Sequence, residues 1–206
     1  MSLGGTASYE SLPTPFVVPG LVLRALELAT NLGFELCVRP EIGRLLGVLA
    51  GGLAPGSLVG ETGTGTGAGL AWMVSAAHPD VRFISYELDP DRAAAATGLF
   101  SEHANVEIVS GDAAGLFERG PFNLLVHDGG GGSGKHPYDT PIDPAVVLKP
   151  GATMTIDDYT PATAWPPAFK GEPDAGRIAW LTHSNLYTTE IQVASDLAVL
   201  VARYLP

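Results

Sequence analysis

The sequence predicts an α/β fold in which a mostly parallel sheet carries helices on both faces and ends in an antiparallel hairpin. Three features predict it. Short apolar runs alternate with segments of helical period over residues 57 to 156, the rhythm of parallel strands joined by crossover helices. One of those runs, Leu58-Val59-Gly60-Glu61, passes straight into a turn with glycines at 63, 65 and 67 that opens a helix. Two closing β runs are separated only by Ala194-Ser195-Asp196.

Taken in order, residues 1 to 19 are rich in Gly, Ser, Thr and Pro without a sustained period, so an irregular arm is expected. Leu21 to Leu32 sets Leu, Val and Ala at helical spacing and stops at Asn31 and Gly33. A second helix opens at Pro40, repeats apolar residues at Ile42, Leu45, Leu46 and Leu49, and ends at Gly51-Gly52. The strand at 57 to 61 and a helix at 68 to 77 follow, then a second strand from Val81 to Glu87. Asp89-Pro90-Asp91 caps a helix expected over 91 to 103. Asn105 to Val109 makes the third strand, 113 to 119 a helix, and Phe122 to His127 the fourth strand. Gly129 to Lys135 is a flexible glycine loop expected to border a substrate.

A helix at 143 to 148 stops at Lys149-Pro150-Gly151, and Ala152 to Ile156 forms a fifth strand ending in Asp157-Asp158. The proline-rich stretch 160 to 173, with Trp165 and Phe169, reads equally as a substrate wall and as an ordinary rigid loop. A short helix near 174 to 182 precedes the hairpin of Tyr187 to Val193 and Leu197 to Arg203. All 206 residues read as one domain, with an arm and helices over 1 to 52 and the sheet over 53 to 206.

Composition narrows the function. Hydrophobic residues make up 46% and charged residues 16%, so the chain is globular, and no run is long and apolar enough to span a membrane. Eleven basic against 22 acidic side chains give a formal charge of −11, which disfavours a nucleic-acid partner. Trp165-Pro166-Pro167-Ala168-Phe169 has the prolines of a nucleic-acid amino-methylation motif without its leading amide or acid. The single cysteine, Cys37, reads as a small buried apolar residue, and with no basic leader a cytoplasmic location is expected.

Glycines 63, 65 and 67 let the backbone turn tightly and approach a ligand closely. Glu61, one residue before that turn, suits a ligand bearing an ammonium group better than a pyrophosphate. Glu87 ends the second strand twenty residues beyond Gly67, where a carboxylate lies beside the turn and can accept both hydroxyls of a ribose. Asp112, in Ser110-Gly111-Asp112-Ala113, fits as the N-cap of the following helix. Asp128, Asp157 and Asp158 come from the ends of neighbouring strands and would repel one another unless a hard cation such as Mg²⁺ or Ca²⁺ bound between them. Asp157-Asp158 also fits as a cap for the turn that follows.

Glu61-x-Gly63-x-Gly65-x-Gly67 resembles the first motif of class I S-adenosylmethionine (SAM) methyltransferases. The wording Glu61-Thr62-Gly63-Thr64-Gly65-Thr66-Gly67 is most similar to the cation-dependent O-methyltransferases of the catechol and caffeoyl-CoA type. Arg39-Pro40-Glu41-Ile42-Gly43 resembles their Pro-Glu-x-Gly helix, and Leu148-Lys149-Pro150-Gly151-Ala152 their Leu-x-Pro-Gly-Gly segment, so the match covers about residues 38 to 160.

The resemblance implies a Rossmann-like seven-stranded sheet and SAM held by Glu61, Gly63, Thr64, Gly65, Gly67, Glu87, Leu88, Gly111, Asp112, Ala113 and Asp128. Asp112 would then accept the adenine amine, a role compatible with capping, while the next N–H reaches a ring nitrogen. The resemblance further implies a divalent ion on Asp128, Asp157 and Asp158 that templates a small hydroxylated acceptor, and a homodimer built through the N-terminal arm. Two residues depart from the pattern. Asp158 stands where the family has Asn, and Gly131 replaces the lysine three residues after the first metal Asp, which leaves His127, His136 and Lys135 as nearby substitutes beside Asp128. A metal-free methyltransferase, a non-catalytic SAM-binding protein and an NAD-dependent oxidoreductase are the competing readings.

Overall fold

The computed structural model describes residues 5–12, 16–135 and 139–206. The arm is more ordered than its composition suggests: a single helical turn, α1 (Gly5–Ser8), leads into a 3₁₀ turn at Tyr9–Ser11. It is tied down by the Thr6 N–H to the Glu35 carbonyl at 3.2 Å and by the Tyr9 hydroxyl to the Val38 carbonyl at 3.0 Å.

Two helices follow, α2 (Gly20–Leu32) and α3 (Pro40–Gly51). Gly33, at φ 63°, closes α2 in the left-handed conformation that glycine adopts without cost. The remainder alternates: β1 (Leu58–Thr62), α4 (Ala68–Ala76), β2 (Arg82–Glu87), α5 (Pro90–Leu99), β3 (Val106–Ser110), α6 (Ala114–Phe117), β4 (Phe122–His127), α7 (Pro144–Val147) and β5 (Leu148–Tyr159). A two-residue pair, β6 (Ala168–Phe169) and β7 (Glu172–Pro173), lies in the proline-rich loop before α8 (Ala175–Leu181), β8 (Leu186–Ala194) and β9 (Leu197–Tyr204).

Seven strands form one sheet in the order β3-β2-β1-β4-β5-β9-β8. The first five are parallel, β9 runs antiparallel to β5, and β8 antiparallel to β9. Alternate strand residues feed two cores. Phe83, Leu124, Val126 and Val199 pack with Trp72 and Leu46 on one face, while Ile84, Leu125, Met154 and Leu200 pack with Trp180 on the other. Burial on both faces is why β1 and β4 read as continuous apolar runs. The reversal of strand order beside β1 opens a crevice at its carboxyl end, where ligands of such sheets collect.

Two element boundaries differ from expectation for identifiable reasons. The helix expected over 91 to 103 ends at Leu99, because Phe100 turns inward and its ring occupies the space that a Gly67 side chain would need, 2.8 Å from the ideal Cβ position. The fifth strand begins at Leu148, which pairs with Phe122. A register shift at Gly151, φ 77°, then realigns it on Leu124. No helix among the described residues is long and apolar enough to cross a membrane.

Gly43 marks a tight contact between α3 and α4, since a Cβ there would lie 2.3 Å from the Trp72 indole, whose N–H is held by the Tyr9 hydroxyl at 2.9 Å. The Gly43→Ala protein is expected to lose about 1–3 kcal/mol of stability through overpacking. Urea denaturation checks this, and an unchanged midpoint would show that the indole moves aside freely.

Candidate active site

The chain leaves β1 through Gly63 (φ 83°), Gly65 (φ 56°) and Gly67 (φ 90°), a conformation that side-chain-bearing residues rarely adopt. Gly63 is doubly constrained, because a Cβ there would lie 3.0 Å from the Gly129 nitrogen. Four N–H donors of this turn are already committed, that of Gly67 to the Thr64 carbonyl at 2.9 Å. The N–H groups of Gly63 and Thr64 donate to the Tyr86 carbonyl at 2.9 and 3.1 Å, and that of Gly65 donates to Glu87 Oε2 at 2.7 Å.

Glu61 is 4% exposed at the floor of the cavity behind this turn. Its register partner in β2 is Ser85, whose hydroxyl donates to Glu61 Oε2 at 2.5 Å and is itself 2.5 Å from the Thr64 hydroxyl. Because Ser85 has one proton to give, Thr64 is the donor in that second contact. Burial pushes the Glu61 carboxyl from 4.5 up to about 8, with Ser85 opposing the shift and the charges of Asp157 and Glu87 adding to it. No cation pairs with Glu61 among the described residues.

Glu87, also buried, accepts three further bonds at Oε1: from the Asp89 N–H at 2.9 Å and from Arg92 Nη2 and Nε at 2.8 and 3.1 Å. The Arg92 guanidinium lies 5.0 Å from the centre of the Phe34 ring, which with Val38 and Ile42 roofs the cavity. The enclosed volume is about 230 Å³. Glu61, Gly63, Thr64, Gly65, Glu87 and Asp128 all line it.

The other expected cofactor residues lie apart. Gly67 packs on Phe100, and Leu88 is 73% exposed. Gly111 donates its N–H to the Glu87 carbonyl at 2.9 Å, and Asp112 Oδ1 accepts the Ala114 N–H at 2.8 Å, the capping role read from sequence. Ala113 is buried against Gly130. These residues form a margin beside Glu87 outside the cavity lining.

Asp128, Asp157 and Asp158 meet with carboxylate oxygens within 4.8 Å of one another. Consecutive strand residues point to opposite faces, so Asp157 and Asp158 could not both reach one rim from a regular strand. The pairing of β5 with β9 shifts register between Ile156 and Tyr159, and Asp158 takes φ 59°, so the strand bulges and both acids line the cavity. Asp128 is raised well above the usual carboxylate value by burial first and then by Asp157.

Lys135 enters this cluster from the glycine loop. Its Nζ lies 3.3 Å from Asp157 Oδ1 and 3.0 Å from the Asp128 carbonyl oxygen. Burial alone would lower its pKa, but Asp157, Asp128 and Asp158 hold it above the ordinary lysine value. Lys135 and a divalent ion would compete for the same carboxylate. An ion ligated at 2.3–2.6 Å to that Asp157 oxygen would sit within about 6 Å of a fixed ammonium.

The loop itself is pinned rather than flexible. Asp139 accepts bonds from the Ser133 hydroxyl and the Gly134 N–H at 2.9 and 2.7 Å and from the Gly132 N–H, and the Trp180 indole donates to the Ser133 carbonyl at 2.6 Å. His127 belongs to this scaffold. It is fully buried, its Nε2 is 3.0 Å from the Gly131 carbonyl, and its ring meets Phe117 edge-on at 5.7 Å. Burial lowers its pKa to about 4, so it is neutral at physiological pH and does not face the cavity. His136 lies outside the described residues.

Sequence reasoning missed Ser85, Arg92 and the roof. Ser85 was legible two residues before Glu87 on the same strand face, and Arg92 on the first turn of the helix that Asp89 caps. Phe34 carried no local signal.

No protein-family model and no curated protein matches the sequence. Solved structures do. TomG from Streptomyces achromogenes, an O-methyltransferase involved in tomaymycin synthesis solved in complex with SAM, aligns with 98% of this chain and 96% of its own at TM-score 0.71 and 20% identity. An O-methyltransferase from Bacillus cereus in complex with S-adenosylhomocysteine (SAH) aligns over 92% and 93% of the two chains at TM-score 0.70 and 15% identity. A methyltransferase from Geobacter sulfurreducens aligns over 98% and 96% at 0.67 and 19%. The chain has the fold of the SAM-dependent methyltransferases.

Because Glu61 binds its proton more tightly folded than unfolded, it stabilises the ligand-free fold fully below about 4.5, and this contribution is lost as pH rises through about 8. The Glu61→Gln protein is expected to show a flatter dependence of stability on pH across that window. Thermal melts from pH 5 to pH 9 compare the two, and parallel curves would place the raised pKa elsewhere.

Proposed function

We propose that this protein is a SAM-dependent methyltransferase that transfers the methyl group to a hydroxyl of a small molecule. The observation that carries the reading is the buried Glu61 carboxyl, without a cation among the described residues, in one cavity with Glu87 and a turn whose Gly63, Thr64 and Gly65 N–H groups are already bonded. Such a site calls for a ligand with an ammonium group and hydroxyls, and offers little to a phosphate.

In this reading Glu61 takes the methionine ammonium, Glu87 the ribose hydroxyls, and the margin of Leu88, Gly111, Asp112 and Ala113 the adenine. Bound there, SAM would supply an electrophilic methyl group on its sulfonium, with SAH as the leaving group. Asp128, at the cavity edge with its proton affinity raised by burial, takes the acceptor's hydroxyl proton. His127 receives no step; it holds the loop that frames the site. The formal charge of −11 and the acidic rim favour a neutral or cationic acceptor over a polyanion. The reduced, buried Cys37 suits a cytoplasmic setting, and the whole chain acts as one domain.

Calorimetric titration with SAH tests the reading. The wild-type protein should bind it, and Glu87→Gln should weaken binding about tenfold to a hundredfold, the worth of one charge-assisted hydrogen bond. NADH should give no heat. Absence of SAM and SAH binding would overturn the proposal. Transfer of label from methyl-labelled SAM to a panel of catechols and phenols then identifies the acceptor.

A further inference from the structure

We propose that Lys135 is the resident cation of the Asp128, Asp157 and Asp158 cluster, so that this protein takes no divalent ion there and its methyl transfer is metal-independent. This deepens the methyltransferase reading by fixing its metal requirement.

Three acids with oxygens within 4.8 Å of one another cannot all ionise without positive charge beside them. Lys135 supplies it from inside the chain, bonded to the Asp157 carboxylate at 3.3 Å and to the Asp128 carbonyl at 3.0 Å. Of the two arginines that line the cavity among the described residues, Arg39 pairs with Asp196 at 2.9 Å and Glu41 at 3.3 Å, and Arg92 pairs with Glu87 at 2.8 Å.

Lys135 is not a wandering surface lysine. Its side chain is 16% exposed, and its own N–H donates to the Ser133 hydroxyl at 3.2 Å. Ser133 is in turn held by Asp139 through that hydroxyl and by Trp180 through its carbonyl. Gly134 could not be replaced by a larger residue without meeting Pro141 and Gly176, so the backbone that carries Lys135 is packed against α8. The loop therefore presents the ammonium in a fixed place beside Asp157 and Asp128.

The same geometry says what removing the ammonium would do. Three carboxylates, one held in place by the bulge at Asp158, would be left facing a common point with only oxygen donors, the ligand set of a hard cation. Lys135→Met, which keeps the apolar stem and deletes the charge, should therefore create a metal site that the native protein lacks.

The test is calorimetric titration of metal-stripped wild-type and Lys135→Met proteins with Mg²⁺, Ca²⁺ and Mn²⁺, with SAH affinity in EDTA measured alongside. The wild type should give no binding at millimolar metal and unchanged turnover on adding Mg²⁺ after EDTA. Lys135→Met should bind at least one ion about tenfold more tightly than wild type. That binding should vanish when Asp157→Asn is added, and the metal should restore the melting temperature lost with the lysine. Metal binding by the wild type as tight as by the variant would overturn the proposal, as would no binding by either. The wild-type titration decides against it even where the variant does not fold. Loss of the methyltransferase reading would show separately, as no SAH binding in EDTA.

Discussion

Four neighbouring parallel strands deliver a carboxylate to the same edge of the sheet, and the local structure there is a response to that crowding. Glu87 ends β2, Glu61 lies near the end of β1, Asp128 follows β4 and Asp157 lies near the end of β5. Like charges 5 Å apart cost about 3 kcal/mol at an effective dielectric of 20. The chain answers unequally. Arg92 pairs with Glu87 and Lys135 with Asp157, whereas Glu61 has only the Ser85 hydroxyl, and burial first, then the charges of Asp157 and Glu87, raises its proton affinity. Where the protein leaves a buried acid without a cation, a ligand's cation is most strongly favoured.

Backbone geometry makes the crowding tolerable. Gly63 and Gly129 let the turns after β1 and β4 touch, which closes the cavity floor without a side chain between them. The bulge at Asp157 and Asp158 brings two successive residues to one rim, where a regular strand would have sent one into the opposite core. Asp139, four residues beyond Lys135, orders the loop that brings Lys135 among the acids. The strained φ of Asp158 and the pinned glycine loop are therefore parts of one electrostatic arrangement.

Much of this was legible in the residues. The parallel order, the hairpin and the placement of Glu61, Glu87 and Asp128 around the glycine turn follow from local pattern, because strand period, turn glycines and helix caps are short-range signals. What escaped was long-range. Lys135 reads as a nearby substitute for the missing base in a flexible loop, and its pairing with Asp157, 22 residues on, and the hold of Trp180 on Ser133 lie outside any local window. His127, adjacent to Asp128 in sequence, points to the other side of its strand and ends neutral against Phe117, since neighbouring strand residues alternate faces. The strand past Asp157 ran on to Tyr159 because β9 continues to pair with it, a partner that no local window contains.

The same accounting separates the proposed ligand from a dinucleotide. A pyrophosphate needs free N–H groups at the turn after β1, yet Gly63, Thr64 and Gly65 have given theirs to the Tyr86 carbonyl and to Glu87. Binding one would break these bonds and set two negative phosphates above the Glu61 carboxylate. A ribose with an ammonium-bearing tail makes no such demand. Glu87 Oε1 is filled by Asp89 and Arg92, but Oε2 accepts only the Gly65 N–H and keeps a lone pair for a hydroxyl. A second hydroxyl must displace an Arg92 N–H from Oε1. Arg92 rests on Phe34, which also lines the cavity, so the group that competes with the proposed ribose for Glu87 is packed against the cavity wall.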